Sequence, residues 1–339
     1  MNLNLFWFIL VGIMLVGYAI LDGFDLGVGA LHLILARKDS ERRILLNAIG
    51  PVWDGNEVWL VVFGGALFAA FPEVYATAFS GFYLPFIFLL LALIFRAVAI
   101  EARSKQPEKW WRTTWDVLFS LASISSSVLF GVAIGNIIKG IPIDSQGIYR
   151  GTFFGLLGPY PLLVGLFNLS MFMMHGCVYL YVKTEGELQE RVRQWIWKTI
   201  GVFSVMYMLT TIVTLKMLPS ATANFEHFPW VWGIVVLNVL SIANIPRAIH
   251  KRKPSIAFFS SACAIGALVS LFGVAIFPNM IISSLNPAWD LNIYNAASSA
   301  KTLGIMRNIA FIGIPFVLTY TIAIYWVFRG KVKVSHTSY

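Results

Sequence analysis

The chain has 339 residues, of which 58% are hydrophobic and 12% charged, and its mean hydropathy is +0.76. These values exclude an ordinary soluble domain, because no soluble core could bury so large an apolar fraction. The formal net charge of +9 would suit a nucleic-acid-binding protein only if the basic residues formed one continuous surface. The composition therefore indicates an integral membrane protein.

Nine apolar runs are long enough, at about 20 residues each, to cross a bilayer as helices. The predicted fold is all-α, a polytopic membrane protein with one integral membrane domain over residues 1–339. Short loops make consecutive helices antiparallel neighbours. This favours two four-helix bundles, from spans one to four and five to eight, with span nine as a peripheral helix. The predicted spans are residues 5–36, 51–72, 78–100, 114–138, 160–182, 198–217, 230–247, 256–277 and 303–328.

The basic residues lie mainly on one side of the predicted membrane. Nineteen of the 25 Lys and Arg residues fall in alternate loops or at the end of the chain, within residues 37–43, 103–112, 183–198, 247–253 and 329–333. By the positive-inside rule, the N-terminus is predicted outside and the C-terminus in the cytoplasm. The excess charge therefore reflects topology, and no nucleic-acid partner is predicted.

Four acidic residues lie within or at the head of the first two spans: Asp22, Asp25, Asp54 and Glu57. Each pair has a spacing of three residues, which places both carboxyl groups on one helix face. If the two antiparallel spans face each other, the second pair lies roughly 5–10 Å from the cytoplasmic end and the first pair roughly 15–20 Å from it. Because a carboxylate in hydrocarbon needs protein or water to satisfy it, this ladder predicts a proton or cation path.

The polar residues of the spans also have structural explanations. The acids would have a structural role only, and would carry no protons or cations, if Trp N–H groups, Asn56 or a helix N-terminus satisfied their hydrogen bonds. Arg96 would pair with an acid on a neighbouring span or with an anionic group of a partner or cofactor, or would snorkel to the interface. His175 would be a haem or metal ligand, or a hydrogen-bonded core residue; no second histidine lies at a spacing that would complete a haem clamp. No role is predicted for His32, His227, His250 and His336, which lie at span ends or in loops.

Several motifs resemble subunit II of the cytochrome bd quinol oxidases, a family that includes cyanide-insensitive variants. The motifs are LDGFDLG at 21–27, GPVWDGNEVW at 50–59, GGALFAAFP at 64–72, FRAVA at 95–99, and HG at 175–176 followed by KTEG at 183–186. The resemblance covers nearly the whole chain, and its Trp-Asp-Gly-Asn segment is the most specific part. Residues 200–280 are generic apolar sequence and add little.

The resemblance implies a terminal oxidase in the bacterial cytoplasmic membrane, which couples quinol oxidation to the reduction of dioxygen to water. It implies haem b and haem d in the complex, held mainly by a partner, subunit I, so that no cofactor, metal site or catalytic residue is assigned to this chain alone. Membrane lipid and quinone are further partners, and a small accessory subunit is left open.

Carried over by position, Asp54 is the acid of the Trp-Asp-Gly-Asn motif that the family uses to move protons from the cytoplasm. The predicted proton path is Asp54, Glu57, Asp25 and Asp22, although some relatives have Gln at position 57. The residues predicted to be structural or to contact the partner are Trp53, Asn56, Arg96 and His175. A secondary transporter is the alternative, since buried acids are expected there too, and an assembly factor is a third possibility.

Reporter fusions test the predicted orientation. Fusions after Arg43, Arg112 and Lys253 are expected to report the cytoplasm, because the basic loops are retained there. Fusions near Gln146 and Pro287 are expected to report the outside. Paired alkaline phosphatase and fluorescent-protein reporters measure this, and a reversal in either set would show that a span is miscounted.

Overall fold

The computed structural model describes residues 2–333, and helices make up most of it. In chain order the helices are α1 (Leu3–Leu35), α2 (Asp39–Ile49), α3 (Trp53–Ala70), α4 (Pro72–Gly81), α5 (Tyr83–Ala102), α6 (Lys109–Lys139), α7 (Phe153–Leu156), α8 (Pro159–Lys183), α9 (Gly186–Met217), α10 (Ala223–His227), α11 (Val231–His250), α12 (Pro254–Ile276) and α13 (Ala300–Val327). The strands β1 (Asn279–Ile281) and β2 (Leu291–Asn292) form a small antiparallel pair in the last long loop.

Eight of these helices are long and apolar enough to cross a membrane: α1, α5, α6, α8, α9, α11, α12 and α13. Helix α3, with 18 residues, corresponds to the predicted second span. The prediction of an all-α polytopic membrane protein with about nine spans is therefore confirmed. The single domain over residues 1–339 stays a prediction, and its ends, residue 1 and residues 334–339, lie outside the described residues.

Several helix boundaries differ from the prediction. The third span, predicted as 78–100, begins at Tyr83, and the fourth, predicted as 114–138, begins at Lys109. Two further differences have a clear physical cause. The predicted second span, 51–72, ends at Ala70, because Pro72 has no N–H to continue the helix and instead begins α4. The predicted sixth span, 198–217, begins at Gly186. An apolar-run criterion misses this start because the first turns of α9 are charged. At about 1.5 Å per residue, a helix of this length exceeds the membrane core, so α9 projects beyond it.

The long helices pack as two groups of four. Helices α1, α3, α5 and α6 form one group and α8, α9, α11 and α12 the other, and the groups join where α1 and α6 contact α8 and α12. Helix α13 lies beside them against α1 and α3. Leu303 is the one described residue of α13 that is buried, so nearly the whole length of this helix is exposed in the isolated chain.

Glycines allow α1 and α8 to approach closely. A Cβ atom at Gly27 would lie 1.8 Å from the carbonyl oxygen of Phe172, and one at Gly176 would lie 2.5 Å from the amide nitrogen of Val28. Backbone atoms cannot move aside as a flexible side chain can, so both positions need glycine. Small residues of this kind are common where membrane helices touch. The contact fixes the position of α1, the helix that carries Asp22 and Asp25.

Gly27→Ala is expected to destabilise the protein by about 1–3 kcal/mol or more, because the added methyl group overlaps the α8 backbone. Gly12→Ala on the same helix is the matched control, since a Cβ there meets no atom within 4 Å, and its effect should stay within about 0.5 kcal/mol. Thermal unfolding of the purified protein, followed by size-exclusion chromatography, measures the difference. Equal stability of the two variants would contradict the close contact.

Candidate functional site

Arg96 lies at the centre of a buried ion-pair network between α1, α3 and α5. Its Nη1 donates to Oδ1 of Asp22 at 2.6 Å, and its Nη2 donates to Oε2 of Glu57 at 2.9 Å. The side chains of Arg96 and Asp22 are fully buried, whereas that of Glu57 is 22% exposed. The sequence left several explanations for Arg96 open. The structure shows that Arg96 pairs with acids on neighbouring helices. Arg96 does not snorkel.

Asp25 is held by a separate hydrogen-bond chain. Asn56 donates from Nδ2 to Oδ2 of Asp25 at 2.8 Å and to the carbonyl oxygen of Leu21 at 3.2 Å. Tyr325 of α13 donates in turn to Oδ1 of Asn56 at 2.8 Å. Asp25 and Asn56 are buried and Tyr325 is partly buried. Helices α1, α3 and α13 therefore meet at this amide, and we call Asp22, Asp25, Glu57 and Arg96 together the acidic cluster.

The acidic cluster contains three carboxyl groups and one guanidinium group. Removing charge from water is costly even when the charges are paired. One guanidinium cannot neutralise three carboxylates, so the cluster approaches neutrality only when it also takes up protons. The arrangement can therefore store and exchange protons inside the membrane region.

The structure separates Asp54 from the acidic cluster. Helices α1 and α3 face each other as expected, but Asp54 is exposed in the first turn of α3 and its carboxyl group makes no hydrogen bond to the described residues. Residues three apart differ by about 60° around a helix, and the longer side chain of Glu57 reaches Arg96 while that of Asp54 does not. The structure therefore shows no direct hydrogen bond between Asp54 and the rest of the expected ladder, and the proton path through the four acids stays a prediction.

Several buried polar atoms along one face of α1 and beside it have no hydrogen-bond partner among residues 2–333. They are Tyr18 OH, Asp22 Oδ2, Asp25 Oδ1 and Arg96 Nε. Buried polar groups are normally satisfied by protein or ordered water, so these atoms are suited to line a hydrated path. Tyr18 was missed in the sequence, although its spacing of four residues from Asp22 and seven from Asp25 is that of a shared helix face.

His175 is a hydrogen-bonded core residue. Its Nδ1 lies 2.7 Å from Oγ of Ser261, its Nε2 lies 3.0 Å from the carbonyl oxygen of Ile20, and its ring stacks on Phe258. With both ring nitrogens engaged, the imidazole does not fit a haem iron. Trp53 packs partly buried at the edge of the main core. In the described part of the chain, no group of three or more His, Cys, Asp or Glu residues is arranged to hold a metal ion.

A second polar cluster lies at the end of the helices that carries the basic loops, and it was missed in the sequence. Asp116 of α6 accepts hydrogen bonds from Arg103 and Arg42, at 2.6 and 2.8 Å, and its Oδ1 lies 2.6 Å from Nε2 of the buried His32. The sequence analysis predicted no role for His32 and used both arginines as evidence for topology, whereas the structure shows that all three side chains contact Asp116. The three partners lie in α1, in α2 and just after the end of α5, so no local pattern predicts the cluster. The sequence did contain one signal for this cluster, because Asp116 is an acid within the predicted fourth span.

Glu41 ties α2 to α9 beside this cluster. Its Oε2 accepts hydrogen bonds from Nη1 of Arg191 at 2.8 Å and from the backbone N–H groups of Arg37 and Lys38 at 2.7 and 3.1 Å. Burial alone would raise the pKa of Glu41, but these hydrogen bonds outweigh it and lower the pKa. The stabilisation is therefore present near neutral pH and is lost as the pH falls through the lowered pKa.

The chain is similar in sequence to subunits of bacterial respiratory oxidases. The family model described as cytochrome bd terminal oxidase subunit II matches residues 3–328. Cytochrome bd-I ubiquinol oxidase subunit 2 of Escherichia coli (strain K12) is 37% identical over 361 residues, which cover 97% of this chain and 95% of that protein. Cytochrome bd ubiquinol oxidase subunit 2 of Bacillus subtilis (strain 168) is 35% identical, covering 98% and 97%.

A solved structure shares the fold. A chain of the bd oxidase from Geobacillus thermodenitrificans aligns with a TM-score of 0.81, covering 97% of this chain and 99% of that chain. The sequence identity in this alignment is 17%. At that level the likeness concerns the fold alone, and the relatives in sequence are what identify the family.

Arg96→Met is expected to destabilise the protein by about 3–5 kcal/mol, because it leaves Asp22 and Glu57 in place without their counter-charge. Arg193→Met is the control, since Arg193 pairs with Glu190 on the surface of α9 and such pairs contribute about 0–1 kcal/mol. Thermal unfolding of the purified protein compares them. If the two variants unfold together, the Arg96 network does not stabilise the fold.

Proposed function

The chain belongs to the cytochrome bd terminal oxidase subunit II family, and on that premise we propose that it delivers protons from the cytoplasm to the oxygen-reducing site. It is a multi-span subunit of a respiratory quinol oxidase, a membrane oxidoreductase that reduces dioxygen to water. The alternative of a secondary transporter has no support from the relatives.

The acidic cluster is the observation that carries the proposal. Reduction of dioxygen to water consumes protons, and inside a membrane these need titratable groups or ordered water within hydrogen-bond reach. Asp22 and Glu57 share the charge of Arg96, and Asp22 and Asp25 each have one oxygen atom without a hydrogen-bond partner among the described residues. Oxygen atoms that lack a protein partner are suited to exchange protons with ordered water.

The exposure of the acids gives the path a direction. Asp54 is exposed at the first turn of α3, Glu57 is 22% exposed, and Asp22 and Asp25 are fully buried. We place proton uptake at Asp54, near the basic loops that the charge distribution assigns to the cytoplasm. Because Asp54 does not contact the cluster, ordered water completes the first step in this proposal.

The face formed by α3 and α13 fits the partner subunit. Asp54 and part of Glu57 are exposed there, and a carboxylate facing lipid is costly. Helix α13, beside it, is apolar and almost wholly exposed in the isolated chain. Covering this face with subunit I removes the acids from lipid and brings the acidic cluster next to the haem-bearing chain.

The family implies haem in the complex, and we assign haem b and haem d to subunit I. When bound there, the haems carry electrons from quinol to dioxygen. The residues of this chain support that division, because His175 has both ring nitrogens engaged. The location is the bacterial cytoplasmic membrane, and we propose the N-terminus outside and the C-terminus in the cytoplasm.

Asp25→Asn and Asp54→Asn are expected to lower oxidase turnover severalfold or more, because each keeps the shape of the side chain and removes its proton-carrying group. Haem content and the yield of complex should stay near those of the unmodified protein. Glu226→Gln is the control, since Glu226 is exposed on the short helix α10, which connects α9 to α11. Quinol-driven oxygen consumption by the purified complex measures turnover.

Two results would contradict the proposal. Loss of haem or of assembled complex in step with turnover would assign the acids a structural role only. Unchanged turnover in both variants would remove them from the proton path.

A further inference from the structure

We propose that Tyr325 is a positioning residue for proton transfer, which holds the amide of Asn56 so that it donates to Asp25. The inference rests on the proposed function of the acidic cluster. Tyr325 lies near the cytoplasmic end of α13 and donates to Oδ1 of Asn56 at 2.8 Å, while Nδ2 of Asn56 donates to Asp25 at 2.8 Å. The amide of Asn56 therefore connects helix α13 to the fully buried Asp25.

The orientation of the Asn56 amide follows from its neighbours. The carbonyl oxygen of Leu21 can only accept a hydrogen bond, so the NH₂ group must face Leu21 and Asp25. Oδ1 then faces Tyr325, whose hydroxyl group is its donor. Without that hydroxyl, a buried carbonyl oxygen would lose its partner, which is unfavourable enough to displace the side chain.

A donor to a carboxylate favours the ionised form of the acid, and a chain of hydrogen bonds strengthens each of its members. The charged and titratable groups near Asp25 are Asp22 and Tyr18 on its own helix, Glu57 on α3, Arg96 on α5, Tyr179 on α8 and Tyr325 on α13. Among them, Tyr325 acts through Asn56. Its removal weakens a donor to Asp25 and leaves the Arg96 ion pairs in place.

Helix α13 is anchored to the rest of the chain by hydrogen bonds near its ends. At the outer end Trp7 donates from Nε1 to the carbonyl oxygen of Leu303 at 3.1 Å. At the other end Lys183 donates to the carbonyl oxygen of Phe328, and the amide of Val332 donates to the carbonyl oxygen of Lys183 at 2.9 Å. These anchors hold Tyr325 at the depth of Asn56. Since α13 belongs to the face assigned to subunit I, docking of the partner affects Asp25 through Tyr325 and Asn56.

The chain contains a matched control for Tyr325→Phe. Tyr207 of α9 donates to Oδ1 of Asn238 at 3.0 Å, and Asn238 donates to the carbonyl oxygen of Ala264 at 2.9 Å. This is the same chain of tyrosine, asparagine and acceptor, but it ends on a backbone carbonyl group instead of an acid. Tyr207→Phe therefore loses the same hydrogen bond without touching the acidic cluster.

The experiment compares both variants in the assembled complex, by infrared difference spectroscopy and by the pH dependence of turnover. The carboxyl band of Asp25 is identified by its loss in Asp25→Asn. Tyr325→Phe is expected to shift this band and to move the pH of half-maximal turnover upwards by about half a unit or more. Tyr207→Phe is expected to change neither, and both variants should retain haem. An unshifted band and an unchanged pH profile in Tyr325→Phe would overturn the inference.

Failure of this inference is distinguishable from failure of the proposed function. If Asp25→Asn lowers turnover but Tyr325→Phe behaves like Tyr207→Phe, the acid works without the tyrosine. If Asp25→Asn leaves turnover intact, the proposed function itself fails. Should Tyr325→Phe not assemble, a ring-fluorinated tyrosine at position 325 keeps the hydroxyl group and makes it a stronger donor. It is expected to move the pH profile downwards, and an unchanged profile would again overturn the inference.

Discussion

A fully buried guanidinium group needs carboxylates as partners, and this requirement organises the first helix group. Arg96 contacts Asp22 on α1 and Glu57 on α3, so one side chain of α5 holds three helices together. Burying the ions is costly, and breaking such a pair costs more than keeping it. The close glycine contact of α1 with α8 supports the same arrangement from the other side, because it fixes the helix that carries Asp22.

The same constraint produces the proposed chemistry. Arg96 neutralises part of the acidic cluster, and we propose that the remaining charge lets the cluster take up and release protons. Asn56 adds a donor to Asp25 without adding charge, and Tyr325 supports Asn56 from α13. The electrostatics of the acidic cluster thus depend on the Arg96 ion pairs, the Asn56 amide and the Tyr325 hydroxyl group, which come from four helices.

Local patterns in the sequence were sufficient for the fold but only partly for the site. Apolar runs and basic loops depend on nearby residues, so the spans and the buried acids could be predicted. Arg96 was recognised as costly, yet its partners lie 74 and 39 residues away in the chain, and Tyr325 lies 269 residues from Asn56. Such contacts depend on helix packing. The charged start of α9 was missed because hydropathy does not detect a polar helix end.

The most direct test of the central claim is time-resolved proton uptake when the fully reduced complex reacts with oxygen. A pH-sensitive dye outside the protein follows uptake, while haem absorbance follows electron transfer in the same sample. Asp25→Asn is predicted to slow the uptake severalfold while the initial oxygen binding to haem keeps its rate. Uptake as fast as in the unmodified complex would contradict a role of the acidic cluster in proton delivery.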